Sequence, residues 1–224
     1  MNRLIPYSGE VYAYLMTAYV EGYAAIEIAV CLALTVFLIV PLIKGIGANR
    51  LVCRGAAMCL ALLWAWIGIG FYWQTYQPLN WAGTYFGWAA LVEAMLIGAW
   101  GMKTGAFHPD IGKPSPARWV GLLGVVLAVS AGPFMRAFSG DAVVAVQAVG
   151  VTPLATITAT LALFLLNRTR IPIWLFPLPV MLLVWETIRA LVLDVTQDIV
   201  LVAGAMAVLT CLLYRYGKRG KARP

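Results

Sequence analysis

Few side chains in this 224-residue chain could do chemistry inside apolar sequence. Glu93 is the only charged residue in GWAALVEAMLIGAW, Gly87 to Trp100. A carboxyl in such a setting can hold a proton or a cation, and intramembrane acids commonly mark ion paths. Glu27 is a second candidate of the same type, inside the apolar sequence that follows Tyr23. In VTPLATITAT, Thr152, Thr156 and Thr160 fall on one helical stripe beside Pro153. Their hydroxyls could bond the carbonyl that Pro153 leaves without a donor, or line a ligand path, so Thr152 and Thr156 join the ion- or ligand-binding candidates. Glu186 and Arg189 are three residues apart, a helical spacing that lets them pair, and they read as a structural ion pair.

Other chemistries lack their parts. The single histidine, His108, lies in a polar loop, which excludes haem held by two histidines and any histidine-rich metal site. The cysteines Cys31, Cys53, Cys59 and Cys211 form no CxxC and read as unpaired packing residues. GxSxG, HExxH and a phosphate-binding glycine loop are all missing. The sequence therefore predicts a protein that is not an enzyme, with no cofactor and no metal.

The elements that must position these residues follow from composition. With 62% hydrophobic and 11% charged residues, the chain has far more apolar surface than a soluble domain of its size can bury. About 20 apolar residues cross a bilayer as a helix. Seven runs qualify: Tyr23 to Ile43, Gly55 to Gln74, Ala82 to Gly101, Trp119 to Phe138, Val143 to Leu166, Ile173 to Leu193 and Val195 to Tyr214. The last has no lysine, so a retinal Schiff base is excluded. The expected fold is all-α: residues 1–22 an N-terminal interfacial segment with its tyrosines at headgroup level, residues 23–214 a seven-helix transmembrane domain, and residues 215–224 a basic cytoplasmic tail. Pro153 is expected to kink the fifth helix, and Pro177 and Pro179 to kink or delay the sixth.

Basic residues test the count. Lys44, Arg50, Arg54, Lys103, Lys113, Arg118, Arg168, Arg170, Arg215, Lys218, Arg219, Lys221 and Arg223 all follow odd-numbered runs. Only Arg3, Arg136 and Arg189 fall toward the other side. The positive-inside rule then places the N-terminus outside and the C-terminus in the cytoplasm. The tail RYGKRGKARP is expected to hold anionic inner-leaflet lipid, and nucleic-acid binding is not expected.

In this frame Glu93 lies roughly 16 Å below the outer boundary, near the midplane. Gly83, Gly87, Ala90, Ala94 and Gly98 form a small-residue stripe beside it, which permits close helix packing. Glu93 is therefore expected to face other helices and to find a hydrogen-bond partner there. Glu27, Glu186, Arg189, Arg136, Gln147, Asp194 and Asp198 gather toward the outer side, which suggests a polar outer vestibule.

LLWAWIGIGFYWQTYQPLNWAGTYFG, with Trp64, Trp66, its aromatic run and Asn80, resembles an uncharacterised bacterial family of small multi-pass membrane proteins, loosely labelled permeases. The likeness extends to GVTPLATIT and QDIVLVAG. Family members tend to carry a histidine after the tyrosine of the aromatic run; Trp73 stands there, so no role for that histidine carries over. The resemblance implies a permease of the bacterial cytoplasmic membrane. Two functions are expected: a small permease linked to a proton or cation, or a non-catalytic accessory subunit of a larger membrane complex. Either would work as a homo-oligomer or with other membrane proteins. A tag fused to the C-terminus is expected to be unreachable from outside intact cells; labelling by an impermeant reagent would overturn the topology.

Overall fold

A computed structural model describes residues 5–22, 33, 35–37, 40–42, 49–104, 115–139, 149–169, 171–193 and 195–221. The described chain is helical throughout. Helix α1 spans Gly9–Gly22, and a 3-10 turn covers Val40–Leu42. Helix α2, Arg50–Trp66, begins at Asn49, whose side chain accepts the N–H of Leu51 at 2.9 Å. It continues without a break into a π-helix, Ile67–Tyr76. Helix α3 is Gly83–Thr104, α4 Pro116–Ser139, α5 Pro153–Leu166, α6 Pro177–Val192 and α7 Thr196–Lys221.

Four of these segments are long and apolar enough to cross a membrane: Arg50–Tyr76, Gly83–Thr104, Ile173–Val192 and Asp198–Lys218. They correspond to the second, third, sixth and seventh expected runs. Most of the first run lies outside the described residues. The apolar described part of α4 is the shorter Pro116–Ser130.

The fifth run differs from expectation. Its helix starts at Pro153 rather than bending there, because proline at the first helical position loses no bond that the helix needs. Thr152 is the extended N-cap residue. Before it Gly150 takes φ 82°, a left-handed conformation that favours glycine. The Gly150 N–H donates to Thr156 Oγ1 at 2.6 Å and closes the turn onto the helix. All 14 residues of α5 are buried; α4, α6, α7 and α2 pack round it. The sixth run keeps to the delayed alternative: Ile173–Leu175 forms a 3-10 turn, and Pro177 and Pro179 sit in the first turn of α6. Helix α7 runs past Tyr214 to Lys221, so the expected tail begins as helix.

The small-residue stripe of α3 packs against α2. Gly83, Gly87, Ala90 and Ala94 are buried. A Cβ on Gly68 would lie 2.9 Å from the carbonyl oxygen of Gly87, so the two backbones touch there. Gly68→Ala is therefore expected to destabilise by roughly 1–3 kcal/mol in detergent denaturation, because backbone must move. Gly55→Ala, with open space around its Cβ, should be neutral or mildly stabilising; equal losses for both would refute the contact.

Candidate functional site

The polar residues separate into two groups, one densely bonded, with a single Arg189 terminal nitrogen left over among the described residues, and one not. The bonded group centres on Arg189, which is 2% exposed. Its Nε donates to Glu186 Oε2 at 2.9 Å, and one terminal nitrogen donates to the same oxygen at 2.5 Å. That nitrogen also donates to Asp198 Oδ2 at 2.7 Å, which joins α6 to α7. The guanidinium carbon lies 4.3 Å from the centroid of the Tyr12 ring, a cation–π contact that brings in α1. From the π-helix, the Tyr72 hydroxyl donates to Glu186 Oε1 at 3.1 Å.

Aromatic residues extend this cluster. The Tyr7 hydroxyl donates to that of Tyr76 at 2.7 Å, and Asn80 Nδ2 reaches the same oxygen. Burial, then the bond to Tyr76, pushes the Tyr7 phenol above its ordinary range, so it stays a neutral donor. Asn80 also accepts the Ala82 N–H at 3.0 Å and so shapes the hairpin between the π-helix and α3. Tyr12, Met16 and Tyr19 of α1 are buried. The tyrosines expected at headgroup level thus mostly turn inward, and Tyr14 is the one strongly exposed.

The π-helix is what presents these rings. Its wider winding is seen in the Gln77 N–H donating to Tyr72 O, five residues back, and in the Thr75 hydroxyl donating to Gly70 O. Phe71, Tyr72 and Tyr76 are all buried as a result.

Glu93 differs from this cluster in that its whole ionisable group is unbonded among the described residues. It is fully buried, as its place beside the stripe requires. Neither carboxyl oxygen has a hydrogen-bond partner among the described residues, so the expected partner on another helix is not found. Phe86, Ala90, Glu93 and Ile97 share one face of α3. On that face the Phe86 ring meets Tyr72 at 5.6 Å and Trp185 of α6 at 4.8 Å, so the face looks into the wedge between α2 and α6. The buried indole nitrogen of Trp185 also finds no acceptor among the described residues. Gly98 abuts Ala61 and Gly87 abuts Gly68, so Glu93 sits level with Trp64 on antiparallel α2. Trp64 Nε1 is already used: it donates to Thr160 Oγ1 at 2.9 Å.

The threonines are engaged. Thr156 accepts from Gly150 and donates to Thr152 O, and Thr160 donates to Thr156 O while bridging to Trp64. Thr152 is the buried cap of α5. They serve the turn and the α2–α5 contact, and do not come together with Glu93. Glu27, Gln147 and Asp194 lie outside the described residues, as does the side chain of Arg136. Sequence reasoning paired Glu186 with Arg189 and gathered Asp198 toward the same side without pairing it, and it missed the parts of Tyr12, Tyr72 and Trp185, whose partners are distant in the chain. Among the described residues Cys53, Cys59 and Cys211 are in no disulfide.

The sequence profile of a family of unknown function, DUF6064, matches residues 10–223, and the chain belongs to that family. No curated protein and no solved structure matches.

Arg189→Met strands two buried carboxyls and is expected to cost about 3–5 kcal/mol. Neutralising the partners as well, in Glu186→Gln/Arg189→Met/Asp198→Asn, should recover much of that loss. Chemical denaturation in detergent reads both; a single variant as stable as wild type would remove the cluster's role in holding the helices.

Proposed function

We propose that this member of a family without an assigned activity is a permease-like protein of the bacterial cytoplasmic membrane, linked to a proton or a small cation, with Glu93 as the ion site. One observation carries the reading: both oxygens of a fully buried carboxyl lack a partner among the described residues. An interhelical hydrogen bond in a membrane is worth only about 0.6–2 kcal/mol, and a polar group left unsatisfied there costs several. Among the described residues no such bond is present. Without it Glu93 is stable in two forms, as the neutral acid or as a carboxylate with a bound cation. Exchange between those forms is the elementary step of proton- or cation-linked transport.

The proposal includes seven crossings, with the N-terminus outside and the C-terminus in the cytoplasm. Four long apolar helices support it, and the proposal assigns the fourth and fifth crossings to the runs that contain the shorter apolar helices α4 and α5. The first crossing, with Glu27, falls in residues 23–43. Helix α1 then lies at the outer boundary, held to the bundle by Tyr12.

A second reading, an accessory subunit of a larger complex, is favoured by one surface. Trp81, Tyr85, Trp88, Val92 and Met95 form an exposed apolar ridge along the α2–α3 hairpin and α3. That ridge suits lipid or a partner helix equally, whereas a partner helix offers nothing to the buried Glu93 carboxyl.

Proteoliposomes loaded with a pH-sensitive dye test the first reading under proton, sodium and potassium gradients. Flux is expected from wild type and at least a tenfold loss from Glu93→Gln, a barrier change of about 1.4 kcal/mol or more. Undiminished flux in that variant would remove Glu93 from the mechanism. Absence of any flux, together with a stoichiometric partner in mild detergent, would favour the accessory subunit.

A further inference from the structure

The end of the bundle that carries the basic residues has a groove separate from Glu93. It measures about 640 Å³, within the roughly 300–1,000 Å³ of small-molecule sites. Helix α4 contributes Arg118, α5 contributes Leu165 and Leu166, and α7 contributes Cys211, Arg215 and Lys218. Leu165 and Leu166 are buried and form its floor. Cys211, Arg215 and Lys218 share one face of α7. Two of the cations are held in place: Arg215 donates to the Leu165 carbonyl, and the Lys218 ammonium lies 5.0 Å from the centroid of the Tyr214 ring. Among the described residues no acidic residue lines the groove.

An apolar floor beneath three cations selects an amphipathic anion. A soluble anion would leave the floor unused, and a neutral lipid would leave the cations unused. We propose that the groove binds one anionic phospholipid, its phosphate among Arg118, Arg215 and Lys218 and an acyl chain along Leu165, Leu166 and Cys211. This converts diffuse attraction between a basic tail and a charged leaflet into a built site, reaching a residue of α4 far from the tail in sequence. It rests on the chain lying in a bilayer and is independent of Glu93.

Native mass spectrometry of the purified full chain tests it, with phosphatidylglycerol and phosphatidylcholine of matched acyl chains, and inorganic phosphate as competitor. The expected result is one phosphatidylglycerol held in preference to phosphatidylcholine and not displaced by millimolar phosphate. Arg118→Gln/Lys218→Gln should weaken it about thirtyfold, each cation contributing about fivefold. Cys211→Phe, which narrows the floor and keeps every cation, should also weaken it. If the double variant fails to fold, the single Arg118→Gln and Cys211→Phe variants decide. Equal retention of the two lipids, displacement by phosphate alone, or unchanged binding in the folded variants would overturn the proposal.

Discussion

A guanidinium removed from water must find its compensation nearby, and at Arg189 this requirement organises one end of the molecule. Surface ion pairs contribute about 0–1 kcal/mol, whereas breaking a buried pair costs several. With Arg189 almost fully covered, the position of its partners is energetically fixed. Glu186 comes from one turn earlier on the same helix, and Asp198 from the first turn of α7, so the α6–α7 hairpin closes about the charge. Tyr12 covers the guanidinium face and, with the buried Met16 and Tyr19, anchors the 14-residue α1. Tyr72, bonded to the second oxygen of Glu186, brings in the π-helix and through it the α2–α3 hairpin.

That density of bonding makes Glu93 informative by contrast. The same chain that supplies a partner to nearly every polar atom around Arg189 supplies none to a carboxyl deeper in the bundle, among the described residues. A fully satisfied network is fixed in one arrangement, because every change of partner loses a bond. An unsatisfied acid can gain a proton, a cation or a water without losing anything. In the proposed reading the two groups divide the work between rigidity and chemistry, and π-helical winding near functional positions fits that division.

Legibility in the sequence followed the range of each interaction. Burial of Glu93 was readable, because depth and a small-residue stripe are local patterns with helical period. The Glu186–Arg189 pair was readable from its spacing. Asp198 was not, since it reaches Arg189 across a helix boundary where no periodicity connects them. The π-helix was hidden because IGIGFYWQTY has the composition of an ordinary apolar helix, and its altered winding appears only in the bonds to Gly70 and Tyr72. The start of α5 was in fact written locally: threonine followed by proline is a helix-opening pair. A long apolar run outweighed that signal and placed the proline inside the helix.

Helix α5 carries a consequence for biogenesis. It leaves the ribosome before α6 and α7, yet in the finished protein those helices cover part of its surface. In the proposed membrane reading it waits during synthesis with that side open to the translocon or to lipid. Its hydroxyls are already cared for at that stage: Thr156, Thr158 and Thr160 each donate to a carbonyl one turn back within the same segment. The nascent helix thus presents hydrocarbon with few unmet polar groups, and can be released sideways before the segments that will enclose it exist.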